Sequence, residues 1–145
     1  MVMVGHAYYP ALQGKAPAPA TLSPLMVESL LRGKIAFEGI ILTDDLEMGA
    51  IDQQQDPVAV VLQALEAGSD LVMYCKDWDR VEKAHAGLRR ALAKGSLSRR
   101  RVEASLRRIF RVKEDLKAGT ALPEFDADRF QQVCSALKSL ETPPA

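Results

Sequence analysis

The sequence is poor in residues that carry specialised chemistry. Among its 145 residues it has two cysteines, Cys75 and Cys134, and two histidines, His6 and His85. Two cysteines make no disulfide framework, and no second cysteine or histidine stands at metal-ligand spacing from Cys75. Neither a metal nor a cofactor is therefore expected. Nineteen basic residues balance nineteen acidic ones, for a formal net charge of +0. A neutral chain has no overall field to recruit nucleic acid or an acidic membrane. No apolar run approaches the roughly 20 residues that span a bilayer, so no membrane partner is expected. Met1 leads straight into Val2-Met3-Val4 with no basic n-region and no cleavage site, and a cytoplasmic protein is the expectation. No glycine-rich phosphate motif is present. Disorder as the main state is also excluded, because 48% hydrophobic and 26% charged residues is ordinary globular composition.

What the chain does have is clear punctuation. Residues 1–9 read as a short apolar strand, and residues 10–22, with Pro10, Gly14, Pro17 and Pro19, as a loop. Ser23-Pro24 starts a helix by cap plus proline, with Gly33 placed to stop it. Residues 39–43 are an apolar run without alternation, which suits a strand covered on both faces, and Asp44-Asp45 ends it. Asp56-Pro57 starts a second helix that Gly68 ends. Residues 70–75 are another buried-type strand. Asp77 caps a third helix ending at Gly95, and Ser98 caps a fourth whose Val102, Leu106, Ile109, Val112 and Leu116 form one face. A last helix runs from about Asp126 to Leu140 on Phe130, Val133, Cys134 and Leu137, and Thr142–Ala145 is a tail. Strands alternating with helices imply an α/β fold with a parallel sheet and right-handed crossovers.

In such folds the ligand site lies beyond the carboxyl ends of the strands. The residues there are His6 to Tyr9, Thr43 to Met48 and Cys75 to Asp77. A carboxylate at the end of a buried strand is held on a rigid element, as a nucleophile or general base must be. Asp44 shares its side of the strand with Leu42 and Ile40, and Asp45 faces the other way. One aspartate should point at ligand and the other at the wall, or either simply caps the turn. Cys75 reads as a small buried residue, Trp78 as packing at a helix start, Tyr8 and Tyr9 as rim packing and His85 as structural or solvated. Residues 89–113 hold ten Lys/Arg against one acid, Glu103. Without interleaved aromatics beyond Phe110, that run reads as a solvated outer helix face rather than a nucleic-acid surface.

The run Phe37-Glu38-Gly39-Ile40-Ile41-Leu42-Thr43-Asp44-Asp45-Leu46-Glu47-Met48 resembles the nucleophile region of glycoside hydrolase family 3, in particular its bacterial β-N-acetylhexosaminidase (NagZ-type) branch. Met3-Val4-Gly5-His6 with Tyr9-Pro10, the Pro19–Pro24 segment, Ala64–Leu71, and the series Gly95, Arg101, Val102, Ser105, Arg108, Ile109 and Lys113 follow the family's order. The resemblance covers about residues 2–116. It implies a TIM-type (β/α)8 barrel and retaining exo-cleavage of a terminal β-linked N-acetylglucosamine, from a peptidoglycan or chito-oligosaccharide fragment. It implies that Asp44 is the catalytic nucleophile, forming a covalent glycosyl-aspartate. Asp45 then supports it or caps the turn. His6 and Met48 fall to the sugar subsite, or else to the strand-end loop and the barrel wall. The family's acid/base histidine, in the pattern K-H-(F)-P-G-H-G, has no counterpart in these residues. A complete barrel takes roughly 250 residues. Residues 1–118 are therefore expected to form the C-terminal part of the barrel, about three βα units, and residues 119–145 an extra helix and tail. Such a chain should be inactive alone. The alternative is a non-catalytic half-barrel module that associates through its open sheet edges.

Overall fold

The computed structural model describes residues 1–14, 18–117 and 126–140. Three parallel strands, β1 (Val2–Val4), β2 (Ile41–Asp45) and β3 (Leu71–Met73), form a sheet in the order β1-β2-β3. The expected α/β chain order is present. After β1 come one helical turn, α1 (Pro10–Gln13), a 3-10 turn at Ala20–Leu22 and a wide π-type helix at Leu25–Lys34. Helix α2 (Pro57–Ala67) links β2 to β3, and α3 (Trp78–Lys94), α4 (Arg99–Lys117) and α5 (Ala127–Leu140) follow.

The local signals act where the sequence places them. The Asp56 carboxylate caps α2 by accepting from the Val58 amide, and Asp77 caps α3 by accepting from Asp79 and Arg80. Gly68 (φ 121°) and Gly95 (φ 77°) end those helices in backbone conformations that disfavour a side chain. Pro24 opens the first long helix, with the Ser23 carbonyl accepting from Met26 and Val27. The end of that helix departs from expectation. It winds through Gly33, because an i+5 bond from Ile35 N–H to Leu30 O (2.8 Å) widens the last turn. The left-handed residue is then Ala36, at φ 57°. Strand β2 also runs further than expected, through both Asp44 and Asp45.

One face of the sheet is covered. Val27, Ile41 and Ala67 cluster with Val2, Val4, Leu31 and Phe37 against them. Leu46, Ile51, Val60, Val61 and Ala84 form a second cluster with Val72 and Leu88. Fully burying side chains such as Ile41, Leu46, Val27 and Val61 contributes about 1.5–3 kcal/mol each. Helices α2 and α3 close on each other at Gly87, where a Cβ would lie 2.4 Å from Val58 Cγ1. The other sheet face is open: Met3, which pairs with Leu42, is 55% exposed.

The basic stretch is not wholly a solvated face. Arg101 and Arg108 turn inward to the fully buried Asp70, just before β3. The Asp70 carboxylate accepts from Arg32, from Arg108 (3.0 Å), from the Ser105 hydroxyl (2.7 Å) and from the Ile41 amide (3.0 Å). Arg101 also donates to the Leu65 and Ser69 carbonyls at the C-terminal end of α2. Side chains from two helices, the π-type helix and α4, thus lock onto the amino-terminal edge of β2 and β3. The expected inward faces of α4 and α5 are less covered: Leu106, Leu116, Phe130 and Val133 are exposed. The expected domain boundary at 118/119 and the tail from Thr142 lie outside the described residues, as does the side chain of Leu137.

Candidate active site

Because the strands are parallel, their carboxyl ends share one rim, and β2 lies at its centre. Asp44 and Asp45 end β2. The β1–β2 ladder runs regularly from Val2–Ile41 to Val4–Thr43. The β2–β3 ladder does not: Leu42 pairs with Leu71 and Asp45 with Met73, so Thr43 and Asp44 together face Val72. That is a β-bulge at the aspartates, a device that re-aims side chains. The buried Thr43 hydroxyl accepts from the Met73 amide across it (3.0 Å).

The two aspartates then differ. Asp44 is half-buried, and its Oδ1 accepts from the Asp45 amide (2.8 Å). Asp45 organises the loop. Its Oδ1 accepts from the Glu47 amide (3.0 Å), and its carbonyl accepts from the Met48 amide (3.1 Å) and from His6 Nε2 (2.9 Å). A carbonyl only accepts, so His6 carries its proton on Nε2. His6 Nδ1 is buried without a hydrogen-bond partner among the described residues. Met48 is exposed on the loop.

Glu47 ties this loop to the next one. Its carboxylate accepts from the Cys75 and Lys76 amides (2.7 Å each) and from the Asp77 amide (2.9 Å). Desolvation pushes the Glu47 carboxyl up, but these three amide bonds outweigh it and hold the group below the usual carboxylate range. Gln53 braces the same loop by donating to the Leu46, Met48 and Ile51 carbonyls, and Arg80 of α3 donates to Gln53 in turn. Cys75 is exposed, not buried as expected, because β3 stops at Met73 and leaves it on the rim. Desolvation, then the neighbouring Asp45 carboxylate, pushes its thiol up and keeps it protonated. Trp78 opens α3 but is 71% exposed rather than packed. Tyr8 and Tyr9 sit exposed after β1, and His85 lies exposed on α3, away from the rim.

The structure thus brings Asp44, Asp45, His6 and Met48 to one rim. It adds Thr43, Glu47 and Gln53, which sequence reasoning gave no role. Chemically, Asp44 offers a rigidly carried carboxylate with one oxygen tied to an amide and the other without a partner among the described residues. No group of three or more metal-ligating side chains is found among the described residues.

Residues 1–112 match the family model of the glycosyl hydrolase family 3 N terminal domain. Beta-hexosaminidase A of Pseudoalteromonas piscicida is 30% identical across 83% of this chain, which covers 23% of that protein. A beta-hexosaminidase of Stenotrophomonas maltophilia is 35% identical across 66% of this chain and 28% of its own length. Among solved structures, a glycoside hydrolase family 3 beta-N-acetylglucosaminidase from Paenibacillus superposes with a TM-score of 0.73 at 32% identity, over 86% of this chain and 24% of that one. The chain spans about a quarter of the length of these relatives.

Proposed function

This chain belongs to glycosyl hydrolase family 3, and on that premise we propose that it carries the nucleophile of a retaining exo-β-N-acetylglucosaminidase. The carrying observation is that Asp44, at the end of the central strand, has one carboxylate oxygen without a hydrogen-bond partner among the described residues, while Asp45 is tied into the loop by its carboxylate at the Glu47 amide and by its carbonyl at His6 and Met48. A carboxylate oxygen of Asp44 attacks the anomeric carbon of a terminal β-linked N-acetylglucosamine. The C1–O bond to the aglycone breaks, and a general acid protonates the departing oxygen. Water then displaces Asp44 from the covalent glycosyl-aspartate, with net retention. The negative charge of Asp44 also stabilises the oxocarbenium-like transition state. His6 and Met48 border the sugar, and Asp45 holds the backbone beneath it.

The three strands are read as about three βα units at the C-terminal part of a (β/α)8 barrel. Two open sheet edges and one uncovered face among the described residues support that reading. Among the described residues no second acid or histidine is bonded to Asp44. His6, the histidine on the rim, spends its proton on the Asp45 carbonyl. The general acid is assigned to the family's acid/base histidine motif, which has no counterpart in these residues, and the chain is expected not to turn over alone. The substrate is a peptidoglycan or chito-oligosaccharide fragment. Two free cysteines, one of them exposed, support a cytoplasmic location.

The test is hydrolysis of an aryl β-N-acetylglucosaminide. The chain alone should show no activity above its Asp44→Asn variant. With the remaining barrel units supplied separately, activity should appear and should vanish in Asp44→Asn. Asp44-dependent turnover by the isolated chain would overturn the incompleteness. Restored turnover that survives Asp44→Asn would overturn the nucleophile. The alternative reading, a non-catalytic module pairing through its open edges, rests on the uncovered sheet face. It requires a defined dimer by light scattering and no restored activity.

A further inference from the structure

The bulge in β2 poses a physical question: what keeps it there? A bulge is rare in a parallel ladder and opens the pairing locally. Regular pairing would restore the ladder, but it would also shift Asp45 and Leu46 by one residue against β3. A one-residue slip sends every following side chain to the other face. The bulge therefore decides which aspartate stands free at the rim and which is committed to the loop.

Thr43 is the residue inside the bulge with a means of holding it. Its side chain is fully buried, and its hydroxyl oxygen accepts from the Met73 amide at 3.0 Å. The next bond along, Leu46 N–H to Met73 O (3.0 Å), is made from beyond the bulge. Both polar groups of Met73 are thus satisfied across the bulge, with Thr43 and Asp44 looped out. Valine has the same shape but no acceptor, and would leave the Met73 amide short of its side-chain partner. Serine keeps the acceptor and loses only a methyl group.

We infer that Thr43 is a positioning residue for Asp44, its buried hydroxyl pinning the β-bulge that sets the two aspartates apart. The role at Asp44 rests on the reading of Asp44 as nucleophile; the pinning of the bulge does not.

The experiment is amide hydrogen exchange and a pH titration by NMR on the full chain, with Thr43→Val, Thr43→Ser and Thr43→Ala. In the parent, the Asp45 amide donates to Asp44 Oδ1, so its chemical shift reports the titration of Asp44. In Thr43→Val the Met73 amide should exchange at least about 10-fold faster. The Asp45 amide should lose its response to Asp44, while exchange in α2 and α3 stays within about 2-fold of the parent. Thr43→Ser should keep the slow Met73 exchange and the titrating Asp45 signal. Thr43→Ala should repeat the valine result, and stands in for valine if that variant does not fold. The inference fails if valine or alanine leaves both signals in place. It also fails if serine loses them to the same extent, since the methyl group and not the hydroxyl would then be responsible. Failure of the nucleophile reading looks different: Asp44→Asn leaves restored turnover intact, whatever the Met73 and Asp45 amides do.

Discussion

Asp70→Asn is the most informative perturbation of the fold. The Asp70 side chain is fully buried, Arg32 is nearly so, and Arg101 and Arg108 lie at 3.7 and 3.0 Å. Three guanidinium groups share one carboxylate. Asparagine keeps the shape and one acceptor oxygen, but removes the negative charge that the three guanidinium groups share and places N–H donors against N–H donors. Breaking a buried charged pair by changing one partner costs about 3–5 kcal/mol. The retained acceptor argues for the lower end, about 3 kcal/mol. A domain has about 5–15 kcal/mol in total, so this single atom exchange should remove a large share. At about 4 °C per kcal/mol for a chain of this size, Tm should fall by about 12 °C. The assay is thermal unfolding by circular dichroism, with urea unfolding as a check at 25 °C. Arg32→Met should cost less in the Asp70→Asn background than in the parent, because Arg32 has already lost its partner. A Tm within about 2 °C of the parent (roughly 0.5 kcal/mol on the same scale) would refute the reasoning, and would mean that the buried charges are solvated or exchange partners freely.

Other consequences follow from single contacts. Gly87→Ala should destabilise by about 1–2 kcal/mol in urea unfolding, because overpacking against Val58 outweighs the gain in helix propensity. Ala36→Gly should be neutral or stabilise by up to about 1 kcal/mol, since it relieves the left-handed strain at φ 57° at some entropic cost. Glu47 should make folding pH-dependent with a fixed sign. Its folded pKa is held below the unfolded value, so its contribution is present above the unfolded pKa and is lost as pH falls through the folded one. Glu47→Gln should flatten that part of a stability-against-pH curve and speed amide exchange at Cys75, Lys76 and Asp77.

The sequence made the local punctuation legible because caps and stops act within a few residues. Asp56-Pro57, Asp77, Gly68 and Gly95 all behave as their chemistry dictates. Gly33 does not stop its helix, for a local reason of another kind: a π-type turn shifts the helix end, and a shift of hydrogen-bond partner leaves no mark in composition. The strand-end aspartates were legible as a pair, and a motif singled out Asp44. What separates them physically was not, because the bulge depends on an amide thirty positions away, at Met73. The same distance hid the Glu47 clamp on the loop after β3. Asp70 read as one residue of an apolar strand, and Arg101 and Arg108 as members of a basic run. Only the fold brings them together, across 31 to 38 positions of chain. Cys75 and Trp78 misled in the opposite way, since their apolar character suggested burial at a rim that the fold leaves open.

The central claim is that Asp44 is the nucleophile, and covalent trapping tests it most directly. A β-N-acetylglucosaminyl donor with an activated leaving group needs no general acid for the first step, and without a base the glycosyl-enzyme hydrolyses slowly. With the remaining barrel units supplied but their acid/base residue removed, the intermediate should therefore accumulate on this chain. Peptide mapping by mass spectrometry should locate one N-acetylglucosaminyl group on Asp44, and Asp44→Asn should remain unlabelled. Labelling of Asp45, Glu47 or Cys75 instead, or no labelling at saturating donor, would contradict the claim.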